Sequence, residues 1–193
     1  IVSIYITFKI MRTPEENITL SQLLFPDVVQ TPQDILNKYP RRELEEGAMV
    51  LRFAASPTGF LHIGGVFTSL VGRFLSKQSK GIFILRIEDT DKTREVENGI
   101  AGIVKGFKGF GIEFDEGMLD EQNSKGEYGP YIQSKRLDIY KVFAKDLVSK
   151  GFAYPCFMTE QELENIRKEQ EENKLRTGCY GKWATWRDRS LED

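Results

Sequence analysis

Apolar residues recur along this chain in two rhythms. At 49–53 ("MVLRF") and Ile82–Ile87 ("IFILRI") they form short continuous runs, the second rich in β-branched and aromatic residues. The second is the composition of a buried parallel strand, and the first reads as an apolar strand running into a turn. Between them Val66, Leu70 and Phe74, with Phe67, Val71 and Leu75, recur at helical spacing. That predicts a helix over 63–78 whose broad apolar stripe packs into the core. Strand, helix and strand form one crossover unit, expected to be right-handed. A second helix is predicted over 95–110, with Ile100, Ile103, Val104, Phe107 and Phe110 on one face and Gly111 ending it. A glycine-rich acidic loop follows at 112–130, then a helix over 133–149 that stops at Gly151, then a strand at 152–157. Thr159 and Glu162 form a capping box opening a charged helix to about 173, and the charge run at 160–176 reads as its solvated face.

Upstream of the first strand, residues 12–47 read as a polar lead-in with two short helices. Thr31 offers a capping hydroxyl before Pro32 at the first helical position, Tyr39-Pro40 ends that helix, and Gly47 precedes the strand. The alternating apolar stretch at 1–10 reads as a stray strand or as translated sequence upstream of an initiator at Met11, and carries no assigned function. At 193 residues the chain holds one domain or one and a fraction, with 40% hydrophobic residues to build a core. No run of 18 apolar residues occurs, so no membrane-spanning helix is predicted. The net charge of −2 gives no global field for nucleic acid, which would need local patches such as Lys92 and Arg94. Cys156 and Cys179, 23 residues apart without an extracellular cue, point to a reducing cytosol.

Chemistry concentrates where the first strand ends. The run "RFAASPTGFLHIGG" (52–65) passes from strand through a Pro/Gly turn to the chain's single histidine, His62, and to Gly64 and Gly65, where the helix opens. Unpaired N–H groups and the positive end of a helix dipole then face one small volume, and bare glycines admit a ligand to the backbone. A phosphate-bearing ligand is the functional reading. A capping or packed histidine after an ordinary turn is the plain one. The second strand ends in Glu88-Asp89-Thr90-Asp91, three carboxylates at the edge of an α/β sheet where ligands bind. A solvated acidic turn is the alternative for these residues.

Taken together, "RFAASPTGFLHIGG", "FILRIEDTDKTR" and "GEYGPYIQSKRLDIYK" (126–141) resemble the glutamyl-tRNA synthetases, class I aminoacyl-tRNA synthetases of bacterial type. The resemblance runs from about Met49 to the last residues, and three motifs in order are far more specific than any one. It implies an α/β fold, with 48–150 as the first half of a Rossmann-like nucleotide-binding domain, a parallel sheet with flanking helices. It also implies the start of an α+β acceptor-binding insertion at 151–193, with 1–47 as an N-terminal extension. The implied reaction is ATP-dependent activation of glutamate to glutamyl-adenylate, then transfer to the 3′ end of tRNA(Glu). ATP enters with Mg2+ as substrate, in the cytoplasm, in a protein that is monomeric at full length. Carried over residue by residue, His62, Gly64 and Gly65 serve catalysis, and with Ser56 and Thr58 bind ATP. Arg52, Ala54, Ser56 and Glu88 bind glutamate, Arg52 through a guanidinium–carboxylate pair and Glu88 through the α-ammonium. Asp91 and Arg94 approach the tRNA acceptor end.

The sequence departs from that family in several places. Ala55 stands where proline is usual, and Gly65 where the generic motif has its second histidine, a change common in the glutamyl branch. Met158 stands where some relatives place the second cysteine of a zinc site. Cys156, Cys179 and Tyr180 do not make a tetrahedral set, so no zinc is expected and Cys156 reads as a buried thiol. Neither a KMSKS-like loop nor an anticodon-binding region is found, which reads as an N-terminal fragment. Three alternatives remain: a shortened glutamyl-Q paralogue acting on a modified tRNA base, a non-catalytic nucleotide-binding fragment, and a small nucleotidyltransferase. The long lead-in, "DTD" and "GEYGPYIQS" sit better with the full synthetase than with the first of these.

Overall fold

Phe83, Leu85 and Ile87 alternate with half-exposed neighbours along one strand, and all three are essentially without solvent contact. That strand organises the middle of the chain. The computed structural model describes residues 3–6 (backbone only), 12–58, 61–91 and 96–193. These divide into two compact units, 36–138 and a second formed by 1–35 with 139–193.

In the 36–138 unit, β2 (Val50–Ala55) pairs parallel with β3 (Ile82–Ile87) over the full register from Val50↔Ile82 to Ala55↔Ile87. β4 (Glu116–Met118) continues the sheet parallel to β3, and β5 (Ser124–Lys125) closes it antiparallel, in the order β2-β3-β4-β5. The two parallel runs read from the sequence are therefore present. The loop expected at 112–130 instead contains the β4–β5 hairpin, whose strands are too short to show a period.

The helix α3 (Ile63–Gln78) has the predicted bounds but not the predicted packing. Val66 is buried, whereas Phe67, Leu70, Val71 and Phe74 are all exposed, Phe67 at 67%. The row turned to the sheet is Gly65, Val66, Ser69, Gly72 and Ser76. A Cβ at Gly72 would sit 2.7 Å from the Phe83 ring. Small residues thus bring the helix close to the sheet and leave its greasiest row outside. The buried Ser69 hydroxyl has no hydrogen-bond partner there.

Helix α4 (Gly99–Gly109) buries Ile100, Ile103 and Phe107, while Phe110, expected on the same face, is exposed. The expected start at 95 lies outside the described residues. Gly111, at φ +69°, ends the helix in the left-handed region as its position implied. Phe107 meets Phe53 and Phe114 edge-on, at 5.1 and 5.2 Å between centroids, and Phe114 stacks on Phe83. These rings fill the core between helices and sheet.

A polar cluster ties the lead-in to this sheet. Glu116 accepts from both terminal nitrogens of Arg42 and, at 2.9 Å, from the Tyr131 hydroxyl. The Arg42 guanidinium lies 3.6 Å over the Tyr128 ring, whose hydroxyl donates to the Pro40 carbonyl. The Arg42 hydrogen bonds hold the Glu116 carboxyl below its ordinary value, and burial pushes the Tyr131 phenol up to about 12. Glu116's contribution is therefore present above the ordinary carboxylate range and is lost as pH falls through its lowered pKa. Tyr131's contribution is full below pH 10.0 and is lost as pH rises toward 12. We expect Tyr131→Phe to lower unfolding stability by about 1.5–3 kcal/mol near pH 8, with the gap to wild type closing as pH approaches 12. Urea titrations of both proteins across that range measure it.

The other unit pairs β1 (Ser3–Ile6) antiparallel with β6 (Ala153–Cys156), so the N-terminal apolar stretch does supply a strand. Both predicted helices of the lead-in exist, α1 (Pro14–Leu24) and α2 (Pro32–Lys38). The Thr31 hydroxyl accepts from the Asp34 N–H as read. The helix α5 (Leu137–Ser149) is preceded by a 3-10 turn, Gln133–Arg136, and α6 (Glu160–Glu172) carries the Thr159/Glu162 capping box. Tyr154, the buried Cys156 and Ala184 form a small core with Met158 and Trp186. No described helix is long and apolar enough to cross a membrane.

Candidate active site at the carboxyl edge of the sheet

The chain leaving β2 is anchored from behind. Pro57 is fully buried, and its carbonyl accepts from the Val96 N–H at 2.9 Å. His62 is the N-cap of α3, in extended conformation, and makes no side-chain capping bond. The plain reading of a capping histidine is thus not what the structure shows. Nor is the ring packed away, since His62 is exposed. The first intrahelical bond runs from the Val66 N–H to the His62 carbonyl, at 3.2 Å. The first-turn amides of Ile63, Gly64 and Gly65 therefore precede the helical ladder, at its positive end.

A cleft of about 320 Å3 opens at this point, lined by Phe53, Ala54, Ala55, Ser56, Thr58, Leu61, His62, Gly65 and Ile103. It gathers five of the sequence-derived site residues, Ala54, Ser56, Thr58, His62 and Gly65. Gly64 faces the imidazole instead, where a Cβ would stand 3.0 Å from His62 Cε1 and 3.1 Å from Nδ1. The side-chain-free position thus sets how close the ring lies to the helix start. Ile103, Leu61 and Phe53 give the cleft its apolar wall. The sequence marks Ile103 only as a core position, because nothing in a helical period distinguishes the end of a buried row that meets a cavity.

Arg52 and Glu88 lie outside that lining and form a charged group of their own. Arg52 Nη2 is 3.8 Å from Glu88 Oε1, and Arg86 Nη2 donates to the same oxygen at 3.0 Å. The strand-tip carboxylates divide by role. The buried Asp89 accepts from the Ser134 N–H at 2.9 Å and from its hydroxyl at 2.5 Å, so it holds the 3-10 turn rather than facing solvent. Asp91 is half-buried, and Arg94, like Lys92, lies outside the described residues. No group of three or more His, Cys, Asp and Glu side chains that could hold a metal occurs among the described residues.

An anion-attracting helix start, an exposed imidazole and an apolar-walled cleft at a sheet's carboxyl edge suit a phosphate ester joined to a flat or apolar group. Comparison with known proteins narrows this. Residues 48–191 match the model for tRNA synthetases class I (E and Q), catalytic domain. The glutamate–tRNA ligase of Clostridium perfringens (strain 13 / Type A) is 56% identical over 174 residues, covering 90% of this chain and 32% of that protein. The glutamate–tRNA ligase of Sorangium cellulosum (strain So ce56) is 45% identical over 185 residues, covering 88% and 32%. The chain thus spans about a third of the length of the curated relatives it matches. A crystal structure of a glutamate tRNA ligase from Elizabethkingia meningosepticum CCUG26117, in complex with its amino acid, superposes with a TM-score of 0.60 at 36% identity. That match covers 75% of this chain and 28% of that one. With the family model spanning most of its length and such relatives on either side of the half-identity mark, the chain belongs to the class I tRNA synthetases for E and Q, within their catalytic domain.

Proposed function

We propose that this chain carries the part of a glutamate–tRNA ligase site that receives glutamate and MgATP, within the first half of a Rossmann-like domain at 48–150. In this reading the glutamate α-carboxylate attacks the α-phosphorus of ATP, pyrophosphate leaves, and the acyl group passes to a ribose hydroxyl at the end of tRNA(Glu). The observation that carries it is the convergence of His62, Gly65, Ser56 and Thr58 on one cleft at the N-terminus of α3.

Negative charge grows on the α-phosphate oxygens as the carboxylate adds. His62 and the first amides of α3 are donors already in place, so they need no reorganisation when that charge develops. Gly64 and Gly65 let the nucleoside approach the helix start, and the Phe53–Leu61–Ile103 wall excludes water from one side of it. Arg52 meets a substrate carboxylate and Glu88 the ammonium, with Ala54 and Ser56 on the strand end between cleft and charged group. Asp91 and Arg94 approach the tRNA acceptor end, and the protein works as a cytoplasmic monomer at its relatives' full length.

Glutamate-dependent exchange of labelled pyrophosphate into ATP, with tRNA(Glu) present, tests the reading. Exchange that requires both glutamate and tRNA is expected of the protein at its relatives' full length, and weak nucleotide binding without charging is expected of the chain by itself. Nucleotide bound without exchange at full length would replace it with the binding-only alternative.

A further inference from the structure

Glu88 is shared by two arginines, and they are not equivalent. Arg52 sits 3.8 Å from Oε1, too far for a hydrogen bond and close enough for attraction. Arg86 donates to the same oxygen at 3.0 Å. Arg86 and Glu88 are two residues apart along an extended segment, so both side chains leave the same face. Ala54, in register with Arg86 on β2, presents only a methyl there, which leaves room for the guanidinium beside the strand end. Arg86 is also the more enclosed arginine, 21% exposed against 42% for Arg52, and its Nε is buried without a partner. Among the described residues no hydrogen bond reaches Glu88 Oε2.

We propose that Arg86 is a positioning residue for amino-acid binding, acting through Glu88. This rests on the reading of Arg52 and Glu88 as the glutamate site. When Arg52 turns to a substrate carboxylate, Glu88 gives up one of its two counter-charges. Arg86 stays, fixed by the strand, and holds Oε1, leaving Oε2 to turn away from it. That free oxygen is the one that meets an ammonium. A guanidinium is suited to this because its planar fork holds one orientation, whereas a lysine ammonium keeps the charge without the geometry. The buried unpartnered Nε is an unfavourable feature for a purely structural arginine. It is tolerated where the remainder of the group serves a fixed partner.

The test compares two ligands that differ only in the ammonium, L-glutamate and glutarate, titrated by NMR against the full chain. Arg86→Gln is expected to weaken L-glutamate by about 10-fold and leave glutarate unchanged, with Arg86→Lys recovering part of the loss. Glu88→Gln is expected to show the same ligand selectivity, and the double variant to add little to either single one. Equal weakening of both ligands by Arg86→Gln, or none of either, overturns the proposal while leaving the glutamate site standing. A wild-type chain that binds neither ligand overturns the glutamate site and this role together. Where Arg86→Gln fails to fold, Arg86→Lys decides, through selective weakening of L-glutamate or its absence.

Discussion

Gly81→Ala is expected to destabilise the 36–138 unit by about 3 kcal/mol or more, seen as a lower urea midpoint with little change in slope. Gly81 joins the end of α3 to the start of β3, and its N–H donates to the Ser76 carbonyl at 2.7 Å. The next amide, Ile82, donates to the Met49 carbonyl at 2.9 Å, so the chain passes directly beside the first residues of β2. A Cβ at Gly81 would lie 1.9 Å from Met49 O and 2.6 Å from Met49 N. These are backbone atoms and cannot rotate away as a side chain would. Relief requires β2 to move, which disturbs the Val50↔Ile82 end of the parallel ladder. Gly102 provides the control, because it sits inside α4 with nothing within 4 Å of an added Cβ. There alanine is expected to raise stability by up to about 1 kcal/mol, through helix propensity alone. Equal behaviour of the two variants would show that the close approach at Met49 does not limit the fold.

In the protein at its relatives' full length, His62→Ala is expected to reduce glutamate-dependent ATP–pyrophosphate exchange by about 10²–10³-fold, with a smaller change in ATP binding. The effect is differential. An imidazole aimed at a phosphate oxygen gains most when charge is developing, so its removal affects the rate more than the ground-state complex. The ring is free to act in this way because it neither caps α3 nor is packed in the core. A loss confined to ATP affinity would place His62 in ground-state binding instead. No loss at all would remove it from the reaction.

Much of this architecture was legible in the sequence because its strongest signals are local. The "IFILRI" run, the glycines that end helices at Gly111 and Gly151, and the Thr159/Glu162 box each depend on a few adjacent residues. The cleft was legible through the same turn, since strand end, turn and helix start are contiguous in the chain. What escaped depends on distant partners. The β4–β5 hairpin is held by pairing to β3 and by Arg42, which grips Glu116 from 74 residues away. Asp89 looked like one of three equivalent carboxylates, yet Ser134, 45 residues on, takes it into the interior. Periodicity located α3 but misidentified its inner face, because hydropathy ranks Phe and Leu above Gly and Ser while close approach ranks them in reverse.

On α3, that reversal has a consequence for how the segment can change over generations. Within its own unit, drift in Phe67, Leu70 or Phe74 alters only what meets the surroundings. A single added methyl at Gly72 must push against the Phe83 ring, and Gly65 has little more room beside Leu61 and Phe53. The inconspicuous small positions of this helix are therefore the ones that selection on folding would hold fixed, while its bulky ones are left to answer to whatever they touch.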